Sequence, residues 1–143
     1  MNDRPDQVEL KGFNAKIVAE FRANAGKVGG PFDGADLLLL TTTGAKSGQP
    51  RVSPLAHQRL DGKTIIIGSY RGADVDPAWV HNLRANPAAR IEVGTDSYAV
   101  VARELPPDER AAAWEKIVAV APGFAEYQAN TTRIIPLFEL TPV

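Results

Sequence analysis

Cysteine is absent from this chain of 143 residues, and its absence excludes several kinds of chemistry. Without thiols there can be no thiolate nucleophile, no disulfide and no zinc–thiolate site, which fits a reducing compartment. The two histidines, His57 and His81, belong to no metal-ligand spacing, and no Gly-x-Ser-x-Gly sequence is present. The sequence therefore predicts no metal site and disfavours a hydrolase.

Excess charge of one sign and long apolar runs are also missing. The 16 basic residues nearly balance the 17 acidic ones, for a net charge of −1, whereas nucleic-acid binding needs a cationic surface. The longest aliphatic run, residues 37–40, is far shorter than the ~20 residues that span a bilayer. Residues 1–8 lack the apolar core of a signal peptide. We therefore expect a cytoplasmic protein with no transmembrane segment and no nucleic-acid partner.

The chain begins with a predicted amphipathic helix. Between residues 8 and 25, Phe13, Ile17 and Phe21 recur every four residues and therefore share one helix face. We predict that this face lies on the protein core, with weak contact to a membrane surface as the alternative. The four glycines and one proline in residues 26–34 then indicate a linker.

Six strands are predicted from β-branched and alternating patterns, at residues 36–43, 51–60, 63–69, 89–93, 98–104 and 134–140. Further helices are predicted at residues 77–85, 106–121 and 124–131. Asp76 is a suitable N-cap for the first of these, with Pro77 in its first position. Hairpin turns such as residues 61–62, without regular βαβ alternation, favour an antiparallel barrel over a Rossmann sheet. We divide the chain into a helix with its linker, residues 1–30, and one barrel domain, residues 31–143.

The loop between the first two predicted strands has the features of an anion site. Gly44 and Gly48 allow its backbone to turn with N–H groups pointing inward, and Lys46, Ser47 and Arg51 add two cations and a hydroxyl. The loop is not a Walker loop, because the lysine precedes the second glycine. The segment favours a phosphate ligand, with a solvated hairpin as the alternative.

Aromatic residues on two predicted helices suit a flat ligand. Trp79 lies in the first turn of its helix, with Asn82 beside it on the same face. Phe124 and Tyr127 lie about one turn apart on a later helix, where they could form one wall of a pocket. Both sets are also typical of core packing, which is the interpretation that the pattern alone favours.

Several short segments follow one another at a characteristic spacing: residues 38–51, Pro77-Ala78-Trp79, Asn82-Leu83, Asn86-Pro87, Tyr127 and Ile134-Ile135-Pro136. In this order they resemble the deazaflavin-dependent nitroreductase family, over nearly everything after residue 30. The resemblance implies an α+β fold, a split antiparallel β-barrel of about six strands with flanking helices. The fold would be related to that of FMN-binding oxidoreductases, with coenzyme F420 in place of the flavin.

The same resemblance assigns a coenzyme site along the second strand and its neighbours. The implied coenzyme contacts are Lys46, Ser47, Gly48, Gln49, Arg51, Val52, Pro54, Leu55, Ile67, Gly68, Ser69, Tyr70, Ala78, Trp79, Val80 and Asn82. The implied substrate pocket is formed by Ala56, Trp79, Phe124 and Tyr127. The basic loop would hold the phosphate, in agreement with the anion site that its own residues predict.

The implied activity is hydride transfer from reduced F420 to activated C=C bonds, in unsaturated lactones, esters or enones, or to nitroaromatics. Ala56, Ala121 and Phe124 stand where the nitroimidazole-reducing branch of the family has tyrosines, which removes phenolic hydroxyls and disfavours bulky nitroimidazoles. Tyr127 remains as a candidate proton donor, with solvent as the alternative. Other hypotheses are an FMN-binding split-barrel oxidoreductase, a non-catalytic deazaflavin carrier and a plain interaction domain. Either a monomer or a homodimer is compatible with the sequence.

Overall fold

The computed structural model describes residues 7–27 and 37–143, with side chains placed from residue 14 onwards except at residue 71. Its helices are α1 Gln7–Ala23, α2 Ala78–Ala85, α3 Pro107–Val120 and α4 Gly123–Ala129, with a 3-10 turn at Tyr70–Gly72. Its strands are β1 Leu37–Thr43, β2 Pro50–Leu60, β3 Lys63–Ile67, β4 Ala88–Val93, β5 Asp96–Glu104 and β6 Leu137–Pro142. The predicted elements are confirmed, with ends that differ by a few residues.

The six strands close into one antiparallel barrel in the order β1-β2-β3-β6-β5-β4. Hairpins join β1 to β2, β2 to β3 and β4 to β5, while β1 also pairs with β4. β6 lies between β3 and β5 and pairs with both. The predicted fold class, an α+β split antiparallel barrel of about six strands with flanking helices, is confirmed.

Side chains of β1 alternate between the barrel interior and a layer outside it. Leu38 and Leu40 point inward, where they pack with Ile66 of β3. Leu37 and Leu39 point outward and are covered by α1. Because β1 is buried on both faces, its sequence is continuously aliphatic rather than alternating.

Helix α1 packs on the outer face of β1 through Ile17 and Phe21, which are both buried. At these two positions the prediction that the apolar face lies on the core is confirmed. The Phe13 side chain and the predicted linker at residues 28–34 lie outside the described residues. In the described part of the chain, no helix has the length and apolar character needed to cross a bilayer.

The prediction that Asp76 is the N-cap of α2 is wrong. The helix begins at Ala78, and Pro77 precedes it with no side-chain cap. The Asp76 carboxylate instead accepts hydrogen bonds from Arg133 and Arg84, at 2.9 and 3.1 Å. Two guanidinium groups outcompete the neutral amides at the helix start, because hydrogen bonds between charged groups are the stronger ones.

The turn between β2 and β3 is a two-residue hairpin. Asp61 and Gly62 both have positive φ, at 53° and 79°, as a type I′ turn requires. The predicted hairpin is therefore confirmed, and it brings β3 back toward the end of the barrel from which β2 begins.

Candidate functional site

The loop that joins β1 to β2, residues 44–49, is a turn fixed from within, and we call it the basic loop. The Gly44 N–H donates to the Gln49 carbonyl at 2.8 Å. The Ser47 hydroxyl accepts hydrogen bonds from the Gln49 N–H and from Arg51 Nη2, at 3.2 and 3.3 Å. The glycine-flanked segment is therefore a defined turn rather than an open hairpin.

Asn82 of α2 anchors the basic loop to the barrel. Its buried amide accepts a hydrogen bond from the Ala45 N–H at 2.9 Å and donates one to the Thr42 hydroxyl at 3.0 Å. The amide oxygen is thus hydrogen-bonded to the basic loop, and the amide nitrogen is hydrogen-bonded to β1. The structure gives Asn82 a supporting position, and its direct contact with a coenzyme stays a prediction.

The exposed side of the basic loop carries hydrogen-bond donors that find few acceptors among the described residues, and Arg51 donates to the Ser47 hydroxyl alone. Lys46 and Arg51 are exposed, and no carboxylate among the described residues forms a salt bridge with either. The backbone N–H groups of Lys46 and Ser47 likewise have no acceptor in the described part of the chain. Gly48 and Gln49 are exposed in the same turn. Two cations beside two available N–H groups fit a phosphate.

Strand β2 leads away from the basic loop along the outside of the barrel. Val52, Pro54 and Ala56 lie opposite outward-pointing residues of β1 and therefore point outward too. We call these three residues the β2 strip; Ala56 is exposed and the other two are partly exposed. From Arg51 to Ala56 the strand rises roughly 17 Å. This length suits a tricyclic ring joined to a phosphate by a short polyol chain.

Beside Val52, at one end of the β2 strip, lies an open groove whose other wall is α1. The groove has a volume of about 400 Å³ and is lined by Val52 and by five residues of the helix, namely Asn14, Ala15, Val18, Ala19 and Arg22. Arg22 fastens the helix to β4, because its guanidinium donates to both carboxylate oxygens of Glu92, at 3.1 and 2.9 Å. These hydrogen bonds raise the pKa of Arg22.

This wall of the groove was not predicted from the sequence. Ala15 and Ala19 lie one helical turn apart, beside the apolar residues Ile17 and Phe21 that dock the helix. These two small residues next to the docking face were the sequence pattern from which the wall of the groove could have been predicted. Which strand they face depends on how the helix packs, and the sequence does not specify this.

The other side of the β2 strip is bordered by β3 and α4. Ile67 lies one residue beyond the last pair of the β2–β3 ladder, and it packs in a cluster with Phe124 and Tyr127. The two aromatic rings meet edge to face, with centroids 6.0 Å apart and 71° between their planes. The Tyr127 hydroxyl has no hydrogen-bond partner among the residues described. The structure thus brings the predicted pocket residues Ala56, Phe124 and Tyr127 to one side of the barrel.

Three residues with predicted ligand contacts lie in the barrel core. Trp79 is 5% exposed and meets Phe138 edge to face, with ring centroids 5.7 Å apart. Val80 is fully buried, and Leu55 points inward to pack on the same core. For Trp79 the structure supports the core-packing interpretation. Trp79 and Val80 offer a ligand little surface, whereas Leu55 is partly exposed. Ligand contacts of all three side chains stay a prediction.

The chain that follows β3 lies at the same end of the barrel as the basic loop. Gly68 is buried, and an added Cβ there would lie 2.9 Å from the ring of Pro136. Ser69 and Tyr70 are partly exposed, and Ala78 is exposed at the start of α2. Of the predicted contacts in this region, these last three keep surface that a ligand could cover.

Comparison with known proteins gives a result independent of this geometry. The family model of F420H(2)-dependent quinone reductases matches residues 14–142. An F420H(2)-dependent quinone reductase of Mycobacterium tuberculosis is 38% identical over 128 residues, which are 86% of this chain and 85% of the relative. The family match therefore covers the barrel and the part of α1 that begins at Asn14.

Solved structures agree with the family match. The structure of an F420-H2 dependent reductase, FDR-A, has a TM-score of 0.66 and 39% identity, and the match covers 73% of this chain and 93% of that one. A structure described as a domain-swapped dimer has a TM-score of 0.68 and 32% identity, over 94% of this chain and 99% of that one. The resemblance inferred from sequence is confirmed, and the hypotheses of an FMN oxidoreductase and a non-catalytic carrier lose support. The chain belongs to the F420H(2)-dependent quinone reductase family, oxidoreductases that use the reduced deazaflavin coenzyme F420.

Proposed function

We propose that this protein uses reduced F420 to reduce quinones and related planar, electron-poor molecules. One observation carries the proposal: the basic loop leads directly into strand β2, which carries the apolar β2 strip. The strip lies between the groove at α1 and the aromatic side chains of α4. The loop suits the anionic part of the coenzyme, and the strip suits its flat ring. Among the residues described, Lys46, Arg51 and the β2 strip are the best-supported coenzyme contacts.

The residues of this chain would orient the reactants and control a proton. When bound, the reduced coenzyme supplies a hydride from C5 of its deazaflavin. Lys46 and Arg51 would hold the phosphate at one end, which fixes where along β2 the ring lies. Helices α1 and α4 would exclude water from its two sides. An acceptor that gains a hydride must also gain a proton. For an acceptor at the α4 wall the Tyr127 hydroxyl is the proposed donor, and an acceptor in the groove at α1 would take its proton from solvent.

The groove beside α1 favours a particular class of acceptor. Most of its lining is apolar, whereas the amide of Asn14 and the guanidinium of Arg22 are polar groups two helical turns apart. A flat ring with carbonyl oxygens on opposite sides matches such a lining. Quinones have this form, and the relative from Mycobacterium tuberculosis is named for quinone reduction.

Activated alkenes and nitroaromatics form the second candidate class. Unsaturated lactones, esters and enones need a proton at carbon after hydride addition, and Tyr127 offers a hydroxyl that no described residue occupies. Ala56 and Phe124 provide no phenolic hydroxyl that would hold a bulky nitroimidazole. We therefore rank bulky nitroimidazoles below the alkenes.

The test is anaerobic stopped-flow mixing of the protein and reduced F420 with a naphthoquinone, an unsaturated lactone and a nitroaromatic. We expect the protein to accelerate oxidation of the coenzyme by the quinone most. Tyr127→Phe should lower kcat for the lactone about 100-fold, the usual scale of general acid catalysis, and affect the quinone less. Tyr98→Phe, on β5, is the matched control and should change neither rate. Failure of the wild-type protein to accelerate any of the three reactions would contradict the proposal.

A further inference from the structure

Arg133 lies between α4 and β6, and its guanidinium binds the chain that follows β3. Nε donates to the Ala73 carbonyl at 2.7 Å, and Nη2 donates to the Ser69 carbonyl at 2.6 Å. Nη1 donates to the Gly68 carbonyl at 3.0 Å and to the Asp76 carboxylate at 2.9 Å. Three main-chain carbonyls and one carboxylate therefore converge on a single, largely buried side chain.

The segment that Arg133 holds, residues 68–73, contains two residues with left-handed backbone. Tyr70 has a φ of 46° and Gly72 a φ of 75°. This conformation is unfavourable for an aromatic residue, so contacts around the segment must stabilise it. The planar guanidinium directs several donors in fixed directions, which the single ammonium group of a lysine cannot do.

The same segment packs on the helix that carries Tyr127. A Cβ added to Gly72 would lie 2.7 Å from the Tyr127 carbonyl oxygen, so the two backbones are in direct contact. Gln128, the next residue of α4, donates from Nε2 to the Arg133 carbonyl at 2.7 Å. Arg133 is thus bonded to residues 68–73 through its side chain and to α4 through its main chain.

We propose that Arg133 is a positioning residue for the coenzyme. It fixes the spacing between Ser69 and Tyr70 on one side and Tyr127 on the other, and thereby sets how tightly and in which orientation the coenzyme ring is held. Its donors are directed at the protein itself, so its effect on the ligand is indirect. The inference rests on the proposed function, because Tyr127 is a proton donor there and Ser69 and Tyr70 are predicted coenzyme contacts.

The test compares the variants Arg133→Gln and Arg133→Lys with the control Arg84→Gln. The control removes the other guanidinium at Asp76 and leaves the bonds to residues 68–73 in place. The coenzyme Kd is measured by calorimetric titration with F420, and kcat and the quinone KM by steady-state kinetics. We expect Arg133→Gln to raise the coenzyme Kd and lower kcat by roughly 10- to 100-fold each, with little change in the quinone KM. Arg133→Lys should lie between it and the wild type, and Arg84→Gln should lower Tm alone.

A chemical rescue separates positioning from general stability. Methylguanidinium at a non-denaturing concentration should restore coenzyme binding to Arg133→Ala when both are measured well below the Tm of the variant. There the variant is already folded, so added stability cannot explain the recovery. If Arg133→Gln does not fold, Arg133→Lys decides the matter. A folded lysine variant with the Kd and kcat of the wild type would overturn the inference. A wild-type protein that binds no coenzyme would overturn the proposed function itself, and the inference with it.

Discussion

Replacing Arg51 by alanine should weaken coenzyme binding by an amount that the structure allows to be worked out. Among the described residues, the exposed Arg51 guanidinium contacts only the Ser47 hydroxyl, at 3.3 Å, so most of its donors are available to an anion. A hydrogen bond to a charged group contributes about 1.5–3 kcal/mol, and exposure to water places this one in the lower half of that range. A loss of about 1.5–2 kcal/mol corresponds to a Kd raised roughly 10- to 30-fold.

Arg59 provides a matched control at the far end of the same strand. It is also exposed, and it donates to one hydroxyl, that of Thr64, at the same distance of 3.3 Å. Both alanine variants lose the same side chain and an equivalent contact, but only Arg51 adjoins the basic loop. Calorimetric titration with F420 should give a raised Kd for Arg51→Ala and a wild-type Kd for Arg59→Ala.

Salt provides a second check on the same pair of variants. Between about 0.1 and 1 M ionic strength the screening length falls from ~10 to ~3 Å, which weakens attraction between an exposed cation and a phosphate. As the salt concentration rises, the wild type should therefore lose affinity for F420 more steeply than Arg51→Ala, and the difference between their Kd values should decrease. Equal Kd values for the two alanine variants, or a gap that salt does not change, would refute the phosphate role of the basic loop.

Three further perturbations follow from the geometry. Gly72→Ala should destabilise the fold by about 2 kcal/mol or more, because it adds a clash with a carbonyl of α4 to the cost of a left-handed alanine. In the control Gly62→Ala the added Cβ meets no atom within 4 Å, so that variant carries the backbone cost alone. Equal unfolding midpoints of the two variants in urea would contradict the predicted clash. Ala15→Phe should fill the groove at α1 and raise the quinone KM about 10-fold, with the coenzyme Kd unchanged by titration; an unchanged KM would place the acceptor elsewhere. Hydrogen bonding from Arg84 lowers the pKa of Glu104. The pair therefore stabilises the fold above the ordinary glutamate pKa of about 4.3, and this stabilisation is lost as the pH falls through the lowered pKa. The free energies of unfolding of the wild type and Glu104→Gln should converge in acid, and a difference that stays constant with pH would show that the pair does not stabilise the fold.

The basic loop could be predicted from the sequence because its determinants lie next to one another in the chain. Gly44 and Gly48 specify the turn, and the positions of Lys46, Ser47 and Arg51 in the sequence are enough to place them in or beside it. The strands were predictable for a similar reason, since hairpins and β-branched runs are local signals. Both kinds of prediction depend on few contacts with distant parts of the chain.

Other features depended on contacts between distant residues. Asp76 was expected to cap its own helix, but its carboxylate is held by Arg133, 57 positions later in the chain. The helix pattern favoured core packing for Trp79, as the structure supports, but its partner Phe138 follows from barrel closure and could not be predicted from that helix. The groove at α1 likewise requires knowing that Ile17 docks the helix on β1. In each case the deciding partner comes from an element that the local pattern does not specify.

A crystal structure of the protein with F420 bound would test the central claim most directly. We predict that the phosphate contacts Lys46 and Arg51 and that the deazaflavin ring lies along Val52, Pro54 and Ala56, on the outside of the barrel. A phosphate held away from the basic loop, or a ring inserted into the barrel interior, would contradict it.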